Sequence, residues 1–189
     1  MNINTFKPIA LALLLASIAG CSTAPTHVIV SPKVYISPSN QLSGKEAQLS
    51  IIDMRTSTHI IQILEKDEAA TILSSDQRLE DIIQGLLAKQ WPQQGLSLAN
   101  SANNKITVTI EKAIISVDQK SLSYSTQSEI IIKVSIDNTK QTLTSSFKNR
   151  AHSEGVLNAD IAVLEREFNQ HLSTLIKQIL TSKDIKTFL

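Results

Sequence analysis

The chain has one cysteine, five glycines and 4% aromatic residues in 189, and its lysines and arginines never form a run. Each shortage closes a class of protein. A single cysteine excludes an internal disulfide and a multi-thiolate zinc site, so the fold must stand on packing alone. None of the five glycines falls in a phosphate-cradling loop or in the G-x-S-x-G turn that exposes a nucleophilic serine. The few aromatics argue against a carbohydrate- or base-stacking surface. A formal net charge of +1, carried by dispersed basic residues, lacks the electrostatic footprint of a nucleic-acid partner. The first apolar stretch, residues 9–18, is shorter than the ~20 residues needed to cross a bilayer. What remains is a globular composition, 42% hydrophobic and 19% charged, with length for about one domain.

The placement of the one cysteine is informative. Lys7 precedes the apolar stretch 9–18, as a positive segment precedes the hydrophobic part of a secretory signal. Ile18-Ala19-Gly20-Cys21 follows and resembles the bacterial lipobox: an aliphatic residue, two small ones, then cysteine. In such signals the cysteine sulfur is joined to diacylglycerol, the preceding peptide is removed, and the new amino group is acylated by a fatty acid such as palmitate. A thiol is the side chain best suited to forming a thioether, and small residues let a peptidase approach the backbone. The resemblance makes residues 1–20 a cleaved lipoprotein signal peptide and Cys21 the lipidated first residue. One acyl chain anchors only marginally, whereas two or three hold a protein on a membrane. Ser22, where an aspartate would mark inner-membrane retention, points to the outer membrane on its periplasmic side.

Residues 21–47 then read as a tether. Pro25, Pro32 and Pro38 punctuate Val28-Ile29-Val30 and Val34-Tyr35-Ile36, pieces that proline confines to linker or to one edge strand. The domain is expected over 48–189. Strands are predicted over 48–55 and 59–64, the second running as a hairpin into 70–73. The apolar period then changes. Leu79, Ile82, Ile83, Leu86, Leu87 and Trp91 predict a helix over 76–90, with Ser74 and Gln77 as a capping box, Pro92 barring continuation and Gly95 closing the end. Trp91 shares the register of Leu87, which favours a core role over that of a partner anchor. Three strands follow over 105–117, 122–136 and 141–148, the first with a shift of apolar phase after Lys112 that predicts a bulge. Asn158 is the expected cap of a long helix over 158–180, and 184–189 add a short helical turn. Together these predict an α+β fold: a two-layer domain with a mainly antiparallel sheet and two helices packed on one face.

The chain resembles the YajG-like lipoproteins of Gram-negative bacteria. The resemblance is carried by the lipobox and its proline-containing sequel, by Asp53-Met54-Arg55-Thr56, by Asp76-Gln77-Arg78-Leu79 with Gln90 and Gly95 downstream, and by the tail Ser182-Lys183-Asp184-Ile185-Lys186-Thr187-Phe188. It implies an address in the cell envelope and no reaction.

No catalytic constellation is legible. His27, His59, His152 and His171 lack the spacing of metal ligands, and His171 is expected to be solvated on the last helix. Glu80 and Asp81 are adjacent and diverge on a helix. Asp53 and Arg55, two apart on a strand, either bind a polar ligand or tie the strand to a neighbouring loop or to the helix start near Arg78. The sequence therefore predicts a non-enzyme without catalytic, cofactor-binding or metal residues. It predicts a membrane partner through the lipid on Cys21, an envelope protein as further partner, and no nucleic acid. The expected role is that of an accessory or adaptor lipoprotein. The alternatives are a small lipid-, glycan- or peptide-binding module and, third, an envelope hydrolase. Oligomeric state is not readable.

Overall fold

The structure, a computed structural model, describes residues 26–189. The predicted signal peptide and Cys21 lie outside them. Elements follow in the order β1 (His27–Val28), β2 (Glu46–Asp53), β3 (His59–Glu65), β4 (Thr71–Ser75), α1 (Leu79–Gln90), β5 (Ser97–Leu98), β6 (Asn104–Gln119), β7 (Ser123–Asp137), β8 (Thr142–Val156), α2 (Ile161–Thr181) and α3 (Lys183–Phe188). The strands form one open, mainly antiparallel sheet, and α1 and α2 pack on one face of it, as the α+β reading expects.

Alternation builds the sheet. Ile106, Val108 and Ile110 of β6 face the helices with Ile130, Ile132, Val134 and Ile136 of β7, all at 1% exposure or less. Each such side chain contributes about 1.5–3 kcal/mol on burial, which outweighs the weaker preferences of the polar residues between them. At Glu111 the alternation slips by one residue: Ile110 pairs with Ile132 but Lys112 pairs with Ile131. This is the predicted bulge, and it returns Ala113, Ile115 and Val117 to the buried face.

The long ladders β6–β7 and β7–β8 are antiparallel. The other edge of β6 carries a pairing that the sequence pattern does not announce. Both β2 and β3 run parallel to it, β2 beside 104–110 and β3 beside 115–119, so they form one strand-like column broken at 54–58. The hairpin from β3 into β4 forms as expected.

Several boundaries move for identifiable reasons. The first helix begins at Leu79 rather than near residue 76, with Arg78 as its cap and no side-chain capping bond. Ser74, half of the expected capping box, is instead held extended with Ser75 by pairing of β4 with β1. The long helix begins at Ile161, where the Asp160 side chain accepts from the Ala162 amide at 2.8 Å. Asn158 is not the cap; its Oδ1 accepts instead from the Gln119 side chain at 3.3 Å. The last strand continues to Val156 because β7 offers it an unbroken ladder, although its apolar alternation fades after Phe147. Gly95 closes the 3-10 turn 92–94 at φ +92°, and a Cβ there would lie 2.7 Å from Ser43 Oγ, so glycine is required twice over.

The proline-containing segment is woven into the domain. Val28, Val30, Val34 and Leu42 are buried. The Ile29 and Ser31 amides donate to Glu165 and Asn169 of α2, and Gln90 of α1 donates to the Val34 carbonyl. Among its described residues before β2, this segment lays down β1, which pairs along β4.

Candidate functional site

The break between β2 and β3 creates the site. A parallel column interrupted for five residues leaves the facing carbonyl of Ala113 without a strand partner. Arg55 occupies the gap. Its Nε and Nη2 donate to the Asp53 carboxylate at 2.9 and 2.7 Å, while Nη1 reaches the Thr58 carbonyl at 3.3 Å and the Ala113 carbonyl at 3.5 Å. The Arg55 amide also donates to Asp53 at 3.1 Å. The two side chains are 5% and 13% exposed, so this is a largely buried, fork-on-fork ion pair. Of the two uses open to Asp53 and Arg55, the tie is formed, and it joins the strand end to the 54–58 loop and to β6.

The pair is also one wall of a cleft of about 430 Å³, lined further by Thr58, Ser74, Ser75 and residues 76–80, which lead into α1. Two segments that the sequence places about twenty residues apart, 53–56 and 76–79, thus meet across one opening. Arg78 stands exposed at the rim, its guanidinium paired with Glu80. Thr58, Ser74 and Ser75 carry no sequence signal for this role, because they reach the cleft only through the β3–β4 pairing.

The electrostatics limit the chemistry. Burial alone would push the Asp53 carboxyl up, but hydrogen bonds from the Arg55 side chain and backbone, with the charges of Arg55 and Arg78, hold it below the usual carboxylate range. Asp53 is therefore ionised and engaged at neutral pH and is no proton donor, and arginine does not give up its proton. The sign of the pH effect follows. A folded-state value below the unfolded one, about 3.9, makes the Asp53 contribution complete above that value and lost as pH falls through the folded value. The urea midpoint is expected to be flat above about pH 5 and to fall below about pH 4, less steeply in Asp53→Asn. Equal slopes for the two proteins would refute the assignment.

A second charged group lies on the outer face of the sheet, where Glu129 of β7 bridges Lys112 of β6 and Arg150 of β8. Hydrogen bonds from Lys112 and then Arg150 hold its carboxyl low. Only the register imposed by the Glu111 bulge brings Lys112 there, and as a solvent-facing network it contributes little to stability.

The histidines remain apart. His27 contacts Thr26, His59 lies between Ser57 and Gln62, and His152 approaches Glu154 at 3.4 Å. His171 differs from its expected solvated place: it is half-buried, with Nδ1 2.9 Å from the Oγ of buried Ser128. Among the described residues no three metal-ligating side chains converge, and no helix is long and apolar enough to cross a membrane. Trp91 is 1% exposed, in the core.

A search of curated proteins finds no match to the chain. Solved structures show the same fold at low identity. A Xanthomonas campestris protein, XCC0632, superposes with a TM-score of 0.59 at 14% identity, over 85% of this chain and 96% of its own. A putative neuraminyllactose-binding hemagglutinin homolog from Helicobacter pylori superposes at 0.51 and 11% identity, over 86% and 96%. A sequence-family model described as uncharacterized lipoprotein matches residues 32–189, from the buried proline-containing segment through α1, α2 and α3 to the last residue, and the chain therefore belongs to that lipoprotein family.

Proposed function

We propose that Cys21 is lipidated as the first mature residue, that the lipid holds the domain on the outer membrane facing the periplasm, and that the domain works there as a non-catalytic accessory or adaptor protein. The carrying observation is the cleft at Asp53 and Arg55. Its deepest charges neutralise one another, its rim arginine is paired, and no histidine or cysteine is among its lining residues. Such a surface recognises; it is not equipped to move a proton or to attack a bond. The lipoprotein family supports the anchor. A small polar ligand is the second reading, favoured by the volume of the cleft and its polar lining.

Two experiments bear on this. In cells, Cys21→Ala is expected to lose fatty-acid incorporation and to leave the membrane fraction, while the parent sediments with outer-membrane markers. Persistence of the label in the variant would refute the anchor. Photocrosslinkers at Thr56, Gln77 and Glu80 are expected to trap one defined envelope protein. Failure to trap any, together with a small molecule that copurifies with the full chain and is lost in Arg78→Ala, would replace the adaptor with the ligand module.

A further inference from the structure

Among the described residues nine large apolar side chains are exposed, and most stand singly, which is ordinary for a protein surface. Three do not. Leu122, in the β6–β7 turn, and Val156 and Leu157, at the end of β8, are 75%, 78% and 63% exposed and occupy one end of the meander. Ser123 pairs with Val156, and the Leu157 amide donates to the Leu122 carbonyl at 2.9 Å. Leu157 has φ +62°, a left-handed conformation that leucine adopts at a cost and asparagine or glycine adopts readily.

That conformation is held from below. Gln119, 7% exposed, donates through its amide to the carbonyls of Lys120 and Leu157 at 2.7 and 3.0 Å, and its Oε1 accepts from the Ala159 amide at 3.0 Å. A buried glutamine thus fixes a turn whose outward side chains are aliphatic. The opposite end of the meander is polar: Asp137 and Asn138 close that turn with side-chain bonds to the amides of Thr139, Lys140 and Gln141.

Chain direction says what meets the apolar end. β6 runs toward this tip, β3 runs parallel to it, β4 runs back, and β1 runs parallel to β4. Read toward the N-terminus, β1 therefore heads for the tip. His27 pairs with Ser74, level with about residue 113 of β6, so the tip lies about 20 Å further along. The six residues from Cys21 to His27 also span about 20 Å when extended. A fully extended segment would carry a lipid on Cys21 to the level of the tip, so the bilayer at this end of the sheet lies within the tether's reach. Lys66, Lys120, Glu65 and Asp118 flank the β6–β7 turn on its β3 side with both signs of charge, so contact there is driven by apolar insertion rather than by attraction to lipid phosphates.

We infer that Leu122, Val156 and Leu157 form a lipid-contacting tip that inserts into the membrane surface beside the Cys21 anchor and fixes the orientation of the domain. Three aliphatic side chains do not hold a protein on a bilayer by themselves. Tethering supplies the high local concentration at which so small a contact is occupied. The inference rests on the proposed lipidation of Cys21.

The test uses the full lipidated chain in vesicles of phosphatidylethanolamine and phosphatidylglycerol carrying a nitroxide-labelled lipid. An environment-sensitive fluorescent amino acid is placed at 122, 157 or, as control, 138. The expected result is flotation with the vesicles, loss of most emission at 122 and 157 with little loss at 138, and no change in this pattern at high salt. In Leu157→Asn, quenching at 122 should fall while the melting temperature rises, which separates the contact from a folding defect. A chain that floats but keeps its emission at 122 and 157 overturns the tip alone. Failure to float overturns the anchor and, with it, the tip.

Discussion

Arg55→Ala is expected to lower the unfolding free energy by about 3–5 kcal/mol, the range for breaking a buried pair by removing one partner. A domain of this size has about 5–15 kcal/mol in total, so much of the stability is at stake. Three losses coincide. The Asp53 carboxylate, 13% exposed, keeps its charge without a counter-charge, and the carbonyls of Thr58 and Ala113 lose their side-chain donor. The break between β2 and β3 then has nothing to bridge it. Removing Asp53 as well, in Asp53→Ala/Arg55→Ala, should recover part of the loss because the stranded charge goes with it. Urea unfolding of the parent, Arg55→Ala, Asp53→Ala and the double variant measures this. A cost below about 1 kcal/mol for Arg55→Ala would show that the pair behaves as an exposed salt bridge.

Trp91→Ala should cost a similar amount, about 3–5 kcal/mol, by the separate route of an unfilled cavity. The indole is 1% exposed and follows the last residue of α1, where the chain turns into the 3-10 segment. Its backbone amide donates to Leu87, and its carbonyl accepts from the amides of Gln94 and Leu96 at 2.9 and 3.3 Å, so the side chain packs at the corner those bonds define. Trp91→Phe refills most of the space and should lose substantially less. Thermal unfolding followed by circular dichroism distinguishes the two. A partner anchor would behave in the opposite way: substitution would leave stability intact and abolish a crosslink.

The sequence by itself determined the class of the fold and most of its elements, because their signals are local. Apolar residues every three or four positions make α1 and α2 whatever surrounds them. Alternation from Ile106 to Ile136 makes two long strands, and the slip of phase beside Lys112 marks the bulge at Glu111. Capping failed where a side chain or the backbone had a better partner at a distance. The Asn158 side chain was taken by Gln119, 39 positions earlier in the chain, and the backbone of Ser74 was drawn into pairing with β1. Tertiary structure alone decided which elements are neighbours. Parallel pairing of β2 and β3 with β6 joins segments separated by more than fifty residues and has no signature in alternation, which records only which face is buried. The meeting of 53–56 with 76–79, the Lys112–Glu129–Arg150 bridge and the Leu122–Val156–Leu157 tip all depend on that pairing or on strand register. Periodicity specifies how each segment hides its apolar side; which polar and aliphatic groups then stand together at the surface is set by where the strands dock.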